Sequence, residues 1–471
     1  MKIWNRIARA IPLLLPLGCA TVDAEQDYER AGRLIGAATG VESVYRPGDD
    51  DEIRERVAEL LGSGLELREA VEIALLNNPE LQRSFYAIGV SRADLVQAGL
   101  LPNPTLGFAL RFPLSGGLTE IESELGQEIA DLWRIAPEMR AAEEELAASI
   151  LAVAREATAL STHTRIAYFR TQAARELLAI AGENLEVAQS LLLVSRAREE
   201  AGAGTQLEVN VAFSEMGSVR LDQLDAELEL RAALMELSSA LGLEVTLRES
   251  ELVTALSEPP RWSADEEALV AVAMQQRLDL KAAERALGAA EARLEIELRG
   301  RFPSVELGLT YERADGASAL GPTAGIELPI FDQNQAQIAK ARFLLSAARK
   351  NLDALRLAVR REVLDTYRRG RIEWETAAFF AAELLPHSEQ NMGLSLEAYG
   401  EDKISFLSAL TAQQRFLEAR SEYVARKLRS AVVRPELEQA LGIPLDAARE
   451  QMTRPSVEQE PIDERGKGYE N

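Results

Sequence analysis

Residues 305–312 read Val305-Glu306-Leu307-Gly308-Leu309-Thr310-Tyr311-Glu312, an alternation of period two that suits a strand and that no helix can use. Val305, Leu307, Leu309 and Tyr311 share one face, and Glu306, Gly308, Thr310 and Glu312 share the other. Three further segments repeat the pattern. Leu106, Phe108, Leu110 and Phe112 oppose Gly107, Ala109 and Arg111. Ile326, Leu328 and Ile330 oppose Thr323, Gly325 and Glu327 and, more weakly, Ile121 and Leu125 oppose Glu120, Glu122 and Glu124. Turn formers at 113–117 and 315–321 supply two hairpin tips. An apolar side and a wet side make a barrel wall, so Glu120, Glu122, Glu124, Glu306, Glu312 and Glu327 are the candidate lumen lining, an acidic one that favours cations mildly. The bland alternative is a pair of half-buried hairpins in a soluble protein. Four strands cannot close a barrel, and an open edge in lipid leaves backbone groups unpaired at several kcal/mol each, so strands that lie in a membrane must be pooled by several chains.

Outward from the strands the chain reads as helix. Hydrophobic residues make up 47% and aromatics only 5%, the mix of long helices packed through small side chains. Pro137 opens a stretch with no further proline before Pro259, so 138–199 reads as one helix, about 93 Å long at 1.5 Å per residue. Shorter helices at 68–98 and 206–240 nearly equal it when added, so stacked end to end they would lie along its whole length. The arithmetic repeats with 265–297, 335–398 and 404–440, with kinks expected at Pro386 and Pro435.

The repetition is a duplication. Leu101-Pro102 matches Phe302-Pro303, Leu241-Gly242 matches Leu441-Gly442, Asn78-Pro79-Glu80-Leu81 matches Arg277-Leu278-Asp279-Leu280, and the glycine turn at Gly202 and Gly204 matches Gly400. The expected organisation is a first unit at 65–242, a connector at 243–264 and a second unit at 265–446. The fold class is mainly α with a small β part.

Lys2, Arg6 and Arg9 precede a short apolar run ending at Gly18-Cys19, an export signal over residues 1–18. Cys19 is the only cysteine, which excludes disulfides within the mature chain; it is either the lipid-attachment residue, as in a bacterial lipobox with Pro16 in the usual Leu position, or lies beside an ordinary cleavage site. Residues 21–64 are polar and either wrap the helices or dangle, and 447–471 are expected to be disordered. No later stretch holds 18 uncharged apolar residues, so no transmembrane helix is expected.

Net charge is −24, with 76 acidic against 52 basic residues, which repels nucleic acid. His163 and His387 lie far apart with no cysteine nearby, so no metal site, triad or cofactor site can be nominated. Glu143-Glu144-Glu145 point in different directions around a helix, and Gly202-Ala203-Gly204 sits between helices rather than after a strand. The chain reads as a non-enzyme.

Taken in order, Leu67-Arg68-Glu69-Ala70-Val71, Asn77-Asn78-Pro79-Glu80-Leu81, Leu100-Leu101-Pro102-Asn103-Pro104, Gly300-Arg301-Phe302-Pro303-Ser304, Leu328-Pro329-Ile330-Phe331-Asp332-Gln333-Asn334, Ala398-Tyr399-Gly400 and Ile404-Ser405-Phe406-Leu407 resemble the TolC-type outer-membrane factor family over roughly residues 65–445. The Asn-Pro and Phe-Asp-Gln-Asn runs are similar to its heavy-metal and cation branch. The resemblance implies a homotrimer with a pooled twelve-stranded outer-membrane barrel and a periplasmic tunnel of long antiparallel helices. It also implies a periplasmic adaptor, an inner-membrane pump of the resistance-nodulation-division class, contact with outer-membrane lipid, and no chemistry in the duct itself. It places Gly202, Gly204, Thr205, Tyr399 and Gly400 at adaptor-facing tips. Its entrance aspartates fall on Ser408 and Thr411, with Glu401 and Asp402 as substitutes. The rival reading is a periplasmic coiled-coil lipoprotein with a structural or adaptor role.

Overall fold

The computed structural model describes residues 21–453 except 63, 113, 115–117, 130–131, 249–255, 257–262, 315–316 and 402. Cys19, the export signal, Asp402 and most of the first hairpin tip lie outside the described residues. Two helices, α1 (Glu25–Thr39) and α2 (Asp50–Gly62), lead into α3 (Leu67–Asn77) and α4 (Pro79–Ala98). Strands β1 (Thr105–Arg111) and β2 (Glu120–Glu128) follow, then α5 (Leu132–Glu200) and α6 (Gln206–Ala240). The second unit repeats this with α7 (Glu266–Gln276), α8 (Leu278–Arg299), β3 (Val305–Ala314), β4 (Ala317–Ile326) and α9 (Gln335–Phe379). A π-helical turn at Phe380–Leu384 joins α9 to α10 (Leu385–Gly400), and α11 (Phe406–Leu441) and α12 (Leu445–Thr453) complete the described chain.

The long helices are the frame. α5 is flanked by α4 and α6 on one side and by α8 and α11 on the other, and α9 with α10 lies beyond α8 and α11. The short helices therefore stack in pairs, as the length arithmetic expects, and they meet at a waist. There the two units are superposable in plan. Gly242 (φ 68°) turns the chain back onto Asn77 and Asn78, while Gly442 (φ 81°) turns it back onto Gln276 and Arg277. Asn78 Nδ2 donates to the Ala240 carbonyl at 3.1 Å, and Arg277 Nη1 donates to Ala440 at 3.2 Å.

Arg277 brings a charge into that waist. It is 4% exposed and pairs with Asp279 at 2.5 Å and Glu362 at 2.6 Å, with Arg155 of α5 at 3.9 Å from Asp279. Burial alone would raise Asp279, but the bonded Arg277 guanidinium outweighs it and holds the carboxyl below its usual value. Burial, with Arg277 nearby, pushes Arg155 down.

Several expectations need correction. Each short outer helix is two helices, broken at Asn78 and Arg277. Pro137 lies inside α5, which begins five residues earlier at Leu132. A proline there leaves the Trp133 carbonyl without its amide partner, and the Arg299 guanidinium donates to it instead. Pro386 does produce a defect, the π-helical turn just before it, whereas α11 runs through Pro435 without a break. Residues 317–321, expected in a hairpin tip, belong to β4, which continues through Pro322 to Ile326. α5 carries an 18-residue window apolar enough by length and composition to cross a membrane. Its helix is packed between α4, α6, α8 and α11, and a third of that window is buried against them.

The polar N-terminal segment wraps rather than dangles. Ala31, Ile35 and Tyr45 are buried in one core with Leu75, Phe85, Ile88 and Tyr168, and Asp27 pairs with Arg92 at 2.6 Å. Residues 447–453, expected to be disordered, lie in α12, which buries Leu445 and Ala448 against the second unit's core.

Candidate channel face and helix tips

The four strands form one antiparallel sheet in the order β1-β2-β3-β4, with β1 and β4 as open edges. Register decides its two faces. Leu106 sits opposite Leu125, and Leu125 opposite Leu309; Leu110 opposes Ile121, Tyr311 opposes Leu320, and Val305 opposes Ile326. These side chains share one face, and most stand bare in the single chain, with Phe108 72% and Leu106 65% exposed and Ile121 and Val305 half-buried. A soluble hairpin pair would cover such a surface.

The other face carries carboxylates. Arg111 opposes Glu120 and donates to Glu122 at 2.7 Å; Glu122 opposes Glu312, and Glu124 opposes Thr310. Thr323 donates to Glu124 at 3.3 Å, and Glu327, just past β4, accepts from Ser304 at 3.1 Å. Small residues make room for these long side chains. A Cβ on Gly126 would lie 2.5 Å from Glu306 Oε1, so the Glu306 carboxylate lies across the sheet over that glycine. The expected lumen residues Glu120, Glu122, Glu124, Glu306, Glu312 and Glu327 are therefore together on one face. Sequence reasoning missed Glu128, which opposes Glu306 at the end of β2, two periods beyond Glu124, where the alternation that was read stops.

At the far end of the helices the two tips are built differently. In the first, Gly202 adopts φ 72°, and a Cβ on Gly204 would crowd Arg198 and Glu199 at 3.1 and 3.2 Å. Ala203 N donates to the Arg198 carbonyl at 2.8 Å, and Thr205 caps α6 reciprocally with Glu208. In the second tip Lys403 N donates to the Ala398 carbonyl at 2.8 Å, and Ser405 caps α11. Gly400 is the last residue of α10 and has open space around it, so it is not a turn glycine matching Gly202.

The tips are fastened to each other. Tyr399 is buried against Phe406, ring centroids 5.7 Å apart, with Leu192, Ala212, Ala409 and Leu410 around them. The Arg198 guanidinium of the first tip lies 5.2 Å from the Tyr399 ring centre. Arg198 and Phe406 were not foreseen as site residues, since neither sits at a turn. Ser408 and Thr411 are exposed, and their hydroxyls bond within their own helix, to Ser405 at 2.9 Å and to the Leu407 carbonyl at 2.8 Å. Glu401 pairs with Lys403. Among the described residues, no group of three or more His, Cys, Asp or Glu side chains gathers to hold a metal ion.

Comparison with known proteins places this geometry. The family model described as outer membrane efflux protein matches residues 70–243. The pyoverdine export outer membrane protein OpmQ of Pseudomonas putida is 27% identical over 39% of this chain, which spans only 40% of that protein's length. The cobalt-zinc-cadmium resistance protein CzcC of Cupriavidus metallidurans is 24% identical over 76% of this chain and 86% of its own length. The Campylobacter jejuni CmeC outer membrane channel superposes with a TM-score of 0.68 at 16% identity, covering 94% of this chain and 97% of that one. The family match thus falls on the first unit, whose order of elements the second unit repeats, and the chain as a whole shares the fold of the outer membrane channel.

Proposed function

We propose that this chain is one of three copies forming a passive outer-membrane exit duct, in which the carboxylate face of the sheet lines the barrel lumen and the helix tips meet a periplasmic adaptor. The observation that carries this reading is the sheet. One face is mostly apolar and largely exposed, interrupted by Ser123, Gln127, Arg313 and Ser318; the other carries Glu120, Glu122, Glu124, Glu128, Glu306 and Glu312 against one cation, Arg111, and both edges are open. Three copies joined edge to edge remove every open edge and put twelve strands around one lumen. Substrates come from an inner-membrane pump, and the duct contributes field and width rather than chemistry. Rings of carboxylates bias passage toward cations without holding them tightly.

The experiment is reconstitution of the full-length protein into planar bilayers, with its mass in detergent measured by light scattering. A trimeric particle giving cation-selective channels, read from the reversal potential in a salt gradient, is the expected result. A detergent-independent soluble monomer would remove the duct reading, and an anion-selective channel would remove the assignment of the lumen face.

A further inference from the structure

The two units meet inside the chain along a seam where α5 packs against α11. From the waist toward the tips this seam carries three ion pairs in step, Arg165 with Glu438, Glu176 with Lys427 at 3.1 Å, and Glu183 with Arg420. Beside them Ala173 and Ile180 of α5 share one apolar cluster with Val424 and Leu428 of α11. α6 packs mainly on α5, while α9 and α10 pack on α7, α8 and α11, so their far flanks are the open sides of the single chain.

The duplication tells what those open flanks match. Tyr168 donates to the Leu65 carbonyl at 2.9 Å and Tyr367 to the Ala264 carbonyl at 2.8 Å, which aligns the two long helices at the waist. At the tips Ala203 N bonds the Arg198 carbonyl as Lys403 N bonds that of Ala398. Between these anchors the second long helix has one residue more, and the π-helical turn at Phe380–Leu384 takes it up. Counted from the tips, Glu183 matches Glu383 and Arg420 matches Arg220, the same two residue types, now both exposed. Arg220 donates to Gln223 of its own helix, and among the described residues neither has a partner of opposite charge. Above the turn Ala173 and Ile180 match Ile372 and Phe379, and Val424 and Leu428 match Leu224 and Leu228. The first set is covered and the second is not, with Leu228 62% and Ile372 58% exposed. The upper rungs are not repeated. Glu176 and Lys427 match Glu375 and Glu227, carboxylates served by Arg371 at 4.0 Å and Arg231 at 2.6 Å on their own helices. Arg165 and Glu438 match Leu364 and Ser238, which their own units cover.

We infer that a second copy of this chain docks on α6, with Arg220 pairing with the partner's Glu383 and with Leu224 and Leu228 closing on the partner's Ile372 and Phe379. The seam between copies repeats the seam between units with its ladder cut to the lowest rung, and it covers apolar side chains that the single chain leaves in water. The inference rests on the duct reading, which supplies the copies, and adds which faces meet and in what register.

The test is cysteine cross-linking of the full-length protein in mild detergent, where Cys19 is the one native cysteine. Leu224→Cys with Phe379→Cys, oxidised with copper phenanthroline, should run as covalent dimers and trimers on a non-reducing gel. Leu224→Cys with Ile372→Cys is two helical turns out of register, about 10 Å, beyond the reach of a disulfide, and should stay monomeric like each single variant. Charge reversal gives a second readout. Arg220→Glu and Glu383→Arg should each lower the trimer fraction severalfold in light scattering at a fixed protein concentration, and the two together should restore it. A wild-type trimer in which the in-register pair fails to cross-link and the double reversal fails to rescue overturns this seam and leaves the duct standing. A wild-type protein that stays monomeric overturns both.

Discussion

At the waist the two units solve one problem with different chemistry. Each must break a short outer helix, turn the returning helix back on a left-handed glycine, and satisfy a carbonyl at that helix's end. The first unit uses Asn78, a neutral amide that also caps α4 through Glu80 and Leu81 amides at 3.0 and 3.2 Å. The second uses Arg277, which reaches the same carbonyl but needs Asp279 and Glu362 to neutralise it. The backbone plan is what the duplication kept, and the side chains that serve it diverged. A buried charge is also less tolerant than an amide, because removing one partner strands the others.

The largest expected effect comes from the glycines. A Cβ on Gly242 would sit 2.5 Å from the Asn77 carbonyl oxygen, whereas on Gly442 it would sit 3.1 Å from Arg277 Cα. Gly242→Ala should therefore cost about 4 kcal/mol, from left-handed strain plus a forced backbone shift, and Gly442→Ala about half of that. Thermal unfolding of the detergent-solubilised protein, followed by circular dichroism, ranks the two. Equal shifts would mean the waists are equally tight and break the comparison.

Next is Arg277→Ala. It strands Asp279 and Glu362, and because Glu362 is 41% exposed the cost should fall near the lower end for a broken buried pair, about 3 kcal/mol. Asn78→Ala removes only a cap and one carbonyl bond, and should cost about 2 kcal/mol. The sharper version is Arg277→Asn with Asp279→Asn, which imports the first unit's neutral solution. It should recover part of the loss seen with Arg277→Ala.

The charged waist alone should respond to acid. Asp279 is held below its usual value by Arg277, so its contribution is fully present above the unfolded carboxylate range, near pH 4, and is lost as pH falls through the lower folded value. Asp279→Asn should be less stable than wild type at pH 7, and the gap should close on acidification. A gap that stays constant down to pH 3 would falsify the assignment of the shift to this pair.

What was legible in the sequence follows the same division. Apolar alternation showed the sheet faces because a period of two survives any register, and the proline-free stretches showed the frame. Asn78-Pro79 carried a readable start signal, a capping side chain followed by proline at the first helical position, whereas Arg277, at the matching place in the repeat, makes no side-chain cap and showed itself only through the duplication. The wrapped N-terminal segment hid behind its composition, although Ala31, Ile35 and Ala38 keep helical spacing. Glu128 was missed for another reason, since Gly126 and Gln127 interrupt the apolar alternation before it, although it keeps the parity of Glu120, Glu122 and Glu124. The contacts between the two tips, such as Arg198 with Tyr399, join residues about 200 positions apart, which no local pattern records.

The tips offer the smallest effect and the most functional one. The first tip is rigid by backbone, through Gly202 and the Thr205–Glu208 box, and the second is held by side chains, through Tyr399 against Phe406 and Arg198. A cation over an aromatic ring contributes about 1 kcal/mol at a partly exposed site. Arg198→Ala should therefore leave the unfolding midpoint almost unmoved while loosening the second tip from the first. If these contacts hold the entrance narrow, single channels of Arg198→Ala should show a higher open probability. Lys403→Ala, which removes only the exposed pair with Glu401, should match wild type. Wild-type gating in Arg198→Ala would place the constriction elsewhere and leave the Tyr399 cluster as packing alone.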